Sequence, residues 1–537
     1  MGAVADPSGA MIPRAVVHVE RRGAGSINSA TWNSRTNSYG DYDVVLPEGI
    51  YEVTITANGF VPFVRTVTLA HPGSRVRLDV SLVIATRDEM VTVDIGHESG
   101  ADASRNSLVL GPREMETMSD DDDTFRQQIQ ALAGVNPMAP SAMYVDGFSG
   151  GQFPSKDSIR EIRINSNPYS AQYQEIGFGR IEILTKPGAD SLHANLSVFA
   201  NDSAFNSQNP YMGGQSPYYM LNVRGNISGP LGKKTSYFAN FRYNDHQNNS
   251  VINALLTEDA TNPFRKIVPS PDTSVDFSVR LDRQMSKNNM LTARWDFQHC
   301  GLRNGGLSGS VACFTGDTPP QDAVSSQVLP SQAFNGGTNT STVQLTDSQN
   351  LGKSMVIETR FQWIRNRSTQ DPVSMAGTVN VSGYFNGGGS AIQMLSDHTD
   401  NIEFQEYFSL ERGQHFFRAG ARYRGVRDAN FSNANFNGVA TYSAYKPAAG
   451  SGGTSATALA NYTAGTPSKF VANVGSPHAT LYTGDLALFV EDEYRVRKNV
   501  TLNYGMRLET QSAIPDHVNP APRLSAAWDV GKTAKQQ

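Results

Sequence analysis

From about residue 192 onward the chain repeats one pattern, in which apolar side chains alternate with Arg, Asp and Asn. "VDFSVRLDR" sets Val275, Phe277, Val279 and Leu281 against Asp276, Ser278, Arg280 and Asp282. "SYFANFRYN" sets Tyr237, Ala239, Phe241 and Tyr243 against Phe238, Asn240 and Arg242, and "YMLNVRGNIS" and "VTLNYGMRLE" do the same. Successive side chains of a strand point to opposite faces. A face of Arg, Asp and Asn is a poor soluble core, but it suits a wet lumen whose outer face meets lipid. Roughly twelve such segments of about ten residues occur, the length that crosses a bilayer when tilted. Short turns pair them, "PLGKK", "RQMSKNN", "QNLGKSM", "LERGQH" and "RVRKNV", each with Lys or Arg. Long polar loops at about 301–339, 367–398 and 428–483 separate the pairs, the asymmetry of an outer-membrane barrel. A soluble propeller would show more even spacing and shorter loops.

Composition agrees with a mainly β chain. Of 537 residues only 18% are charged, below the usual quarter of a soluble protein, and there are 25 Phe and 20 Tyr. A net charge of −5 excludes the basic stripe of a nucleic-acid binder. There is no apolar run long enough for a transmembrane helix, which a barrel does not need. The two cysteines, Cys300 and Cys313, would close a loop as a disulfide in an oxidising compartment, two free thiols being the alternative.

Ahead of the barrel pattern lie two compact regions. Residues 1–84 alternate at period two between Gly and Pro breaks and read as a β-sandwich. After a polar connector, residues 85–101, the stretch 102–190 mixes a short helix with strands. "TFRQQIQALAGV" places Phe125, Ile129 and Leu132 at helical spacing with Gly134 as the stop. The acidic run Asp120–Asp123 before it suits a helix N-terminus better than a calcium loop. "SAMYVDGF" runs into an Asp146-Gly147 turn, "SIREIRI" is a second strand, and "GRIEILTKPGAD" a third that stops at Pro187-Gly188.

These motifs carry two resemblances. Gly2-x-Val4-x-Asp6-x-x-Gly9 with Pro13-x-Ala15-x-Val17, and "LPEGIYEVTITANGF" with Pro47, Gly49, Tyr51 and Gly59-Phe60, resemble the carboxypeptidase-regulatory-like domain. That module has no peptidase chemistry. Some of its relatives bind carbohydrate, and nothing in the sequence identifies a sugar site. "YVDGF", "SIREIRI", "NPYSAQYQEIGFGRIEILTKPGAD" and the late "LALFVEDEYRVRKNVTLNYGMRLE…PAPRLSAAWDV" resemble TonB-dependent outer-membrane receptors of the Oar-like branch.

The resemblance implies a plug at 102–190 inside a barrel at 191–537. Asp146 and Gly147 would form the plug's central turn. Ile181, Glu182, Ile183, Thr185 and Lys186 would belong to its last strand, and Pro187 and Gly188 would carry the chain into the barrel wall. Pro removes a ladder donor and Gly allows the turn. Where many receptors carry Arg-Gly-Pro, this chain has Asn165-Ser166-Asn167-Pro168, so siderophore or cobalamin specificity does not carry over. Asp88, Glu89, Met90, Val91, Thr92 and Val93 resemble a TonB box, which pairs as an added strand with the periplasmic energy transducer; a plain linker strand is the alternative.

The implied function is import of an extracellular ligand across the outer membrane, with lipid and TonB as partners, no cofactor and no enzymatic step. The competing reading is a surface adhesion or signalling receptor on the same scaffold. Lumen residues Arg224, Arg242, Arg418, Arg422 and Arg424 would either guide anionic cargo or fill the wet interior with charge pairs. The resemblance to the sandwich domain begins at residue 2, and the chain closes on "WDVGKTAKQQ" rather than on a terminal aromatic strand. A barrel must close, and plugged transporters use about 22 strands. The expectation is therefore a fragment or a truncated product lacking its true N-terminus.

Overall fold

The computed structural model describes residues 2–5, 15–22, 31–37, 40–57, 63–69, 71, 76–78 and 80–82 of the amino-terminal region. Beyond it, residues 108–119, 122–134, 143–164, 169–174, 180–207, 217–307, 326–352, 354–447, 454–497, 499–516 and 518–528 are described. The chain divides into two compact units, Met1–Asp94 and Ile95–Gln537.

The first unit contains β1 (Gly2–Ala5), β2 (Val16–Arg22), β3 (Thr31–Arg35), β4 (Asp41–Tyr42), β5 (Gly49–Thr56), β6 (Phe63–Leu69) and β7 (Val80–Ser81). They form two sheets, ordered β4-β1-β7 and β3-β2-β5-β6. Alternate residues fill one core, among them Val4, Val17, Val19, Tyr51, Val53 and Ile55. The Tyr51 hydroxyl donates to the carbonyl of Pro47, 2.8 Å away, so the one polar atom of a buried ring is satisfied.

The second unit opens with a small α/β body. Its strands are β8 (Leu108–Leu110), β9 (Met143–Val145), β10 (Phe148–Ser149), β11 (Ile159–Ile164) and β12 (Ile181–Thr185), ordered β10-β9-β12-β11-β8. The helices are α1 (Pro112–Glu116) and α2 (Asp122–Leu132). β8 and α1 had no signal in the sequence reading. Along α2 and the turn that follows it the buried stripe is Phe125, Ile129 and Ala133, not Leu132, which is 48% exposed. A spacing of four residues fixes that stripe, and position 132 falls off it. Gly134 follows at φ +70°, the left-handed helix stop the sequence predicted. Asp120 and Asp121 lie outside the described residues.

The large sheet has twelve antiparallel strands. They are β13 (His193–Asp202), β14 (Tyr219–Pro230), β15 (Thr235–Ala254), β16 (Phe264–Ser286), β17 (Asn289–Gly305), β18 (Phe334–Leu351) and β19 (Met355–Pro372). After two short strands, β20 (Thr378–Val381) and β21 (Phe385–Gly388), come β22 (Leu395–Arg412) and β23 (His415–Ser432). β24 (Val439–Tyr442) and β25 (Lys469–Val471) precede β26 (His478–Arg497), β27 (Val500–Gln511) and β28 (Asn519–Trp528). Each of the five basic turns joins a hairpin: β14–β15, β16–β17, β18–β19, β22–β23 and β26–β27.

Two expectations need correction. The strands are not all about ten residues long; β15 has 20 and β16 has 23. A bilayer needs only about ten, so these strands continue past it. The outer stretches also fold. β20, β21, β24 and β25 make a four-stranded sheet that packs with α3 (Ala458–Thr463). Ile252, Val268, Val381, Phe385, Tyr442 and Leu459 share its core. Thr457 Oγ1 and the Tyr384 hydroxyl donate to Glu258 at 2.6 and 2.7 Å, holding that carboxyl below its ordinary range.

Candidate functional site

The small body lies against one face of the twelve-stranded sheet, and the contacts are polar. β9 and β10 meet in a two-residue turn with Asp146 at φ 50° and Gly147 at φ 83°, the primed turn that fits a hairpin's twist. That turn aims the Asp146 carboxylate at β12. Oδ1 accepts from the Thr185 amide at 2.9 Å and Oδ2 from Thr185 Oγ1 at 2.7 Å. On the sheet side, Arg294 Nη1 lies 3.2 Å from Oδ2 and Arg280 Nη1 lies 3.8 Å from Oδ1. Burial alone would raise the Asp146 pKa. The two guanidiniums and the Thr185 hydrogen bonds outweigh it and hold the carboxyl below the usual carboxylate range.

Arg280 also donates to Thr185 Oγ1 and pairs with Asp282, at 2.9 Å each. The Gly188 amide donates to the same Asp282 at 3.3 Å. The reason for glycine at 188 is not a turn. A Cβ there would stand 2.4 Å from the Tyr237 amide nitrogen and 2.6 Å from Ser236, so the residue is fixed by close approach to β15. β12 ends at Thr185, one residue short of Lys186. The Lys186 amide still donates to the Ser158 carbonyl at 2.8 Å, and burial pulls its ammonium below the ordinary range, with Asp157 opposing. Ile181 and Ile183 point into the body's apolar core, and Glu182 pairs with Arg180 at 2.7 Å.

Two more clusters anchor the body, and of their members only Arg422 was singled out in the sequence, as a lumen arginine. At the first, Glu403 accepts from Ser149 Oγ at 2.9 Å and from Arg422 Nε at 2.6 Å, and Arg422 also donates to Ser149 Oγ. At the second, Glu491 accepts from Ser170 Oγ at 2.9 Å and the Ala171 amide at 2.6 Å, while Arg507 Nη1 donates to the carbonyls of Ala171 and Gln172. Their only sequence signal was position: Glu403, Glu491 and Arg507 fall on the polar side of an alternating strand.

The lumen arginines expected either to guide cargo or to pair are largely paired. Arg242 pairs with Asp276, Arg418 with Glu491, Arg422 with Glu403 and Arg424 with Asp485. Between the body and β15–β18 a narrow cleft remains, lined by Ser155, Asn240, Arg242, Asp276, Arg294 and Gln344 among others. Asn240 Oδ1 and Gln344 Oε1, both buried on this wall, have no protein partner among the described residues. Among the described residues no group of three His, Cys, Asp or Glu side chains could hold a metal. Cys300, on β17, is disulfide-bonded; Cys313 lies outside the described residues, as do Asp88, Glu89, Met90, Val91, Thr92 and Val93.

Residues 242–527 match the outer membrane beta barrel domain family, more than half of the sequence. The chain belongs to the outer-membrane β-barrel family. The sandwich matches the carboxypeptidase regulatory-like domain over residues 1–83. The outer-membrane barrel is similar in fold to the outer membrane transporter YddB from Escherichia coli, with 9% identity, TM-score 0.53 and coverage of 79% of this chain and 59% of that one. A mutant of the ferric enterobactin receptor PfeA from Pseudomonas aeruginosa aligns with 12% identity, TM-score 0.51 and coverage of 81% and 61%. The siderophore receptor PirA from Acinetobacter baumannii aligns with 14% identity, TM-score 0.51 and coverage of 81% and 60%. The barrel chain thus spans about three fifths of each of these structures. A comparison with curated proteins gives no match. The protein resides in the outer membrane.

Proposed function

We propose that this barrel is a TonB-dependent receptor that imports a ligand, with the small α/β body as its plug and residues 88–93 as the segment TonB grips. One observation carries the reading. The body has an apolar interior of its own, yet it meets the sheet through three charged clusters, at Asp146, Glu403 and Glu491. An apolar interior keeps a unit intact when it moves. A polar seam can part because water replaces its hydrogen bonds, whereas burying or exposing apolar surface has no such substitute. Pulling through the linker would then shift the plug as a body, opening the seam beside the cleft at β15–β18. The siderophore receptors similar in fold bind iron chelates by their names, and this supports a small extracellular solute as cargo.

The alternative, a surface receptor that binds without import, draws support from the folded outer unit around Phe385 and Leu459. Deleting residues 88–93 separates the two. Import requires that ligand uptake stops while surface binding persists; an uptake rate unchanged by the deletion would rule out TonB-driven transport.

A further inference from the structure

The outward face of the large sheet carries a charged patch whose height on the membrane can be read from its strands. On β19, Arg360 and Gln362 point to the small body, and so do Arg422 and Arg424 on β23. The alternate residues therefore face outward. From the short turn onward, the outward side chains of β19 run Met355, Ile357, Thr359, Phe361 and Trp363; the next two are Arg365 and Arg367. On β23, Phe417, Ala419, Ala421 and Tyr423 are followed by Gly425 and Arg427. Both runs reach about ten residues from the turn before the first arginine, the length of strand that crosses a bilayer. The guanidiniums thus stand at the outer interface, just beyond Trp363 and Tyr423, which sit where barrels place an aromatic girdle.

Register brings the charges together. Arg365 pairs across β22 with Asp400, Asp400 with Arg427, and Arg427 with Tyr482 of β26. Arg367 lies one outward position farther out, opposite His398. Asp400 Oδ1 is 2.8 Å from Arg365 Nε and Oδ2 is 3.6 Å from Arg427 Nη1. The Arg365 guanidinium lies 4.8 Å from the centre of the Trp363 ring. The carboxylate and the ring hold the two forks in place, yet Arg365 stays 41% and Arg427 49% exposed. Two guanidiniums share one carboxylate and Arg367 stands one outward position beyond them, so the patch is positive.

We propose that Arg365, Arg367 and Arg427 bind the phosphate groups of an outer-leaflet lipid whose acyl chains lie along Phe361, Trp363 and Tyr423. Arginine forks match phosphate oxygens in pairs, and held forks lose little freedom on binding. The apolar strip directly below decides for a lipid over a free anion, since only a lipid places an anionic head above hydrocarbon.

The test uses the full chain extracted from membranes in mild detergent and mixed with phosphatidylcholine vesicles containing lipid A. Retained lipid A is measured for the wild type and for a triple variant, Arg365→Gln, Arg367→Gln and Arg427→Gln. Retention should fall about tenfold in the variant. It should also fall when the lipid A is dephosphorylated, and inorganic phosphate should not compete. A second triple variant with Lys at the three positions should restore most of the binding. Equal retention by wild type and Gln variant overturns the proposal, and so does displacement by inorganic phosphate or full retention of the dephosphorylated lipid. Recovery of each variant in the outer-membrane fraction is scored separately, so a failure of the barrel to assemble is not read as loss of the site.

Discussion

Inside the small body the buried side chains include Phe125, Ile129, Ile159, Ile162 and Ile183; at its seam with the sheet they include Glu403, Arg422, Glu491 and Arg507. The two regions are held by different physics. In the apolar core, stability follows the area removed from water, and each lost methylene leaves a cavity. At the seam, much of the attraction between charges is offset by the cost of taking them out of water. Paired and hydrogen-bonded, such groups fix one docked position more than they add to stability. A body built this way holds its shape more firmly than its place, which is what a removable stopper requires.

The comparison is broken most directly from the core side. Ile183→Ala removes a fully buried side chain from the middle of β12 and should cost about 2–5 kcal/mol. In a urea series, proteolysis within residues 108–185 should begin well before the barrel hairpins unfold. If body and barrel still unfold together at the wild-type midpoint, the core is not an independent source of order.

Part of this contrast is legible in sequence. The alternation of β12, Ile181-Glu182-Ile183, already separates the core face from a polar face, and the five basic turns fix which strands pair. The partners across the seam are not legible, because Ser149 and Glu403, or Ser170 and Glu491, are hundreds of positions apart and no local pattern links them. The outer unit was hidden for a related reason. β20 and β24 are four-residue strands paired in parallel across about sixty residues, and each alone looks like loop. The strand extensions were hidden because, past the bilayer, both faces meet water and the alternation fades. Gly188 was noticed, but the reason for it, the backbone of β15 pressing against it, exists only in the folded chain.

The seam is next tested at its charged centre. Asp146→Asn keeps the shape and an acceptor for Thr185 but removes the charge that faces Arg280 and Arg294, at a cost of about 1–3 kcal/mol. The pH dependence has a definite sign. The folded carboxyl titrates below its unfolded value, so its contribution is complete above about pH 4 and is lost as pH falls through the lower folded value. Docking of the body, followed by a fluorescent label at an exposed position such as Glu116, should stay constant from neutrality to about pH 4 and loosen only in stronger acid. The Asn variant should start looser and lack that acid step. An acid step of the same size in the variant would assign the titration to another carboxylate.

The smallest effect, and the sharpest for the comparison, is expected at Ser149. Its hydroxyl sits between Glu403 and Arg422, so Ser149→Ala removes both contacts and leaves no cavity. The ion pair beneath survives through Arg422 Nε, and the Ser149 amide still donates to Glu403 at 3.3 Å. The loss should therefore be about 1 kcal/mol, several-fold less than at Ile183. Its consequence should also differ in kind. The core of the body remains whole, so its internal unfolding midpoint should not move, while the docked position becomes less populated and the label should report faster exchange. A shift of the internal midpoint as large as that of Ile183→Ala would mean that seam and core are one cooperative structure, and a plug that moves as an intact body would have to be abandoned.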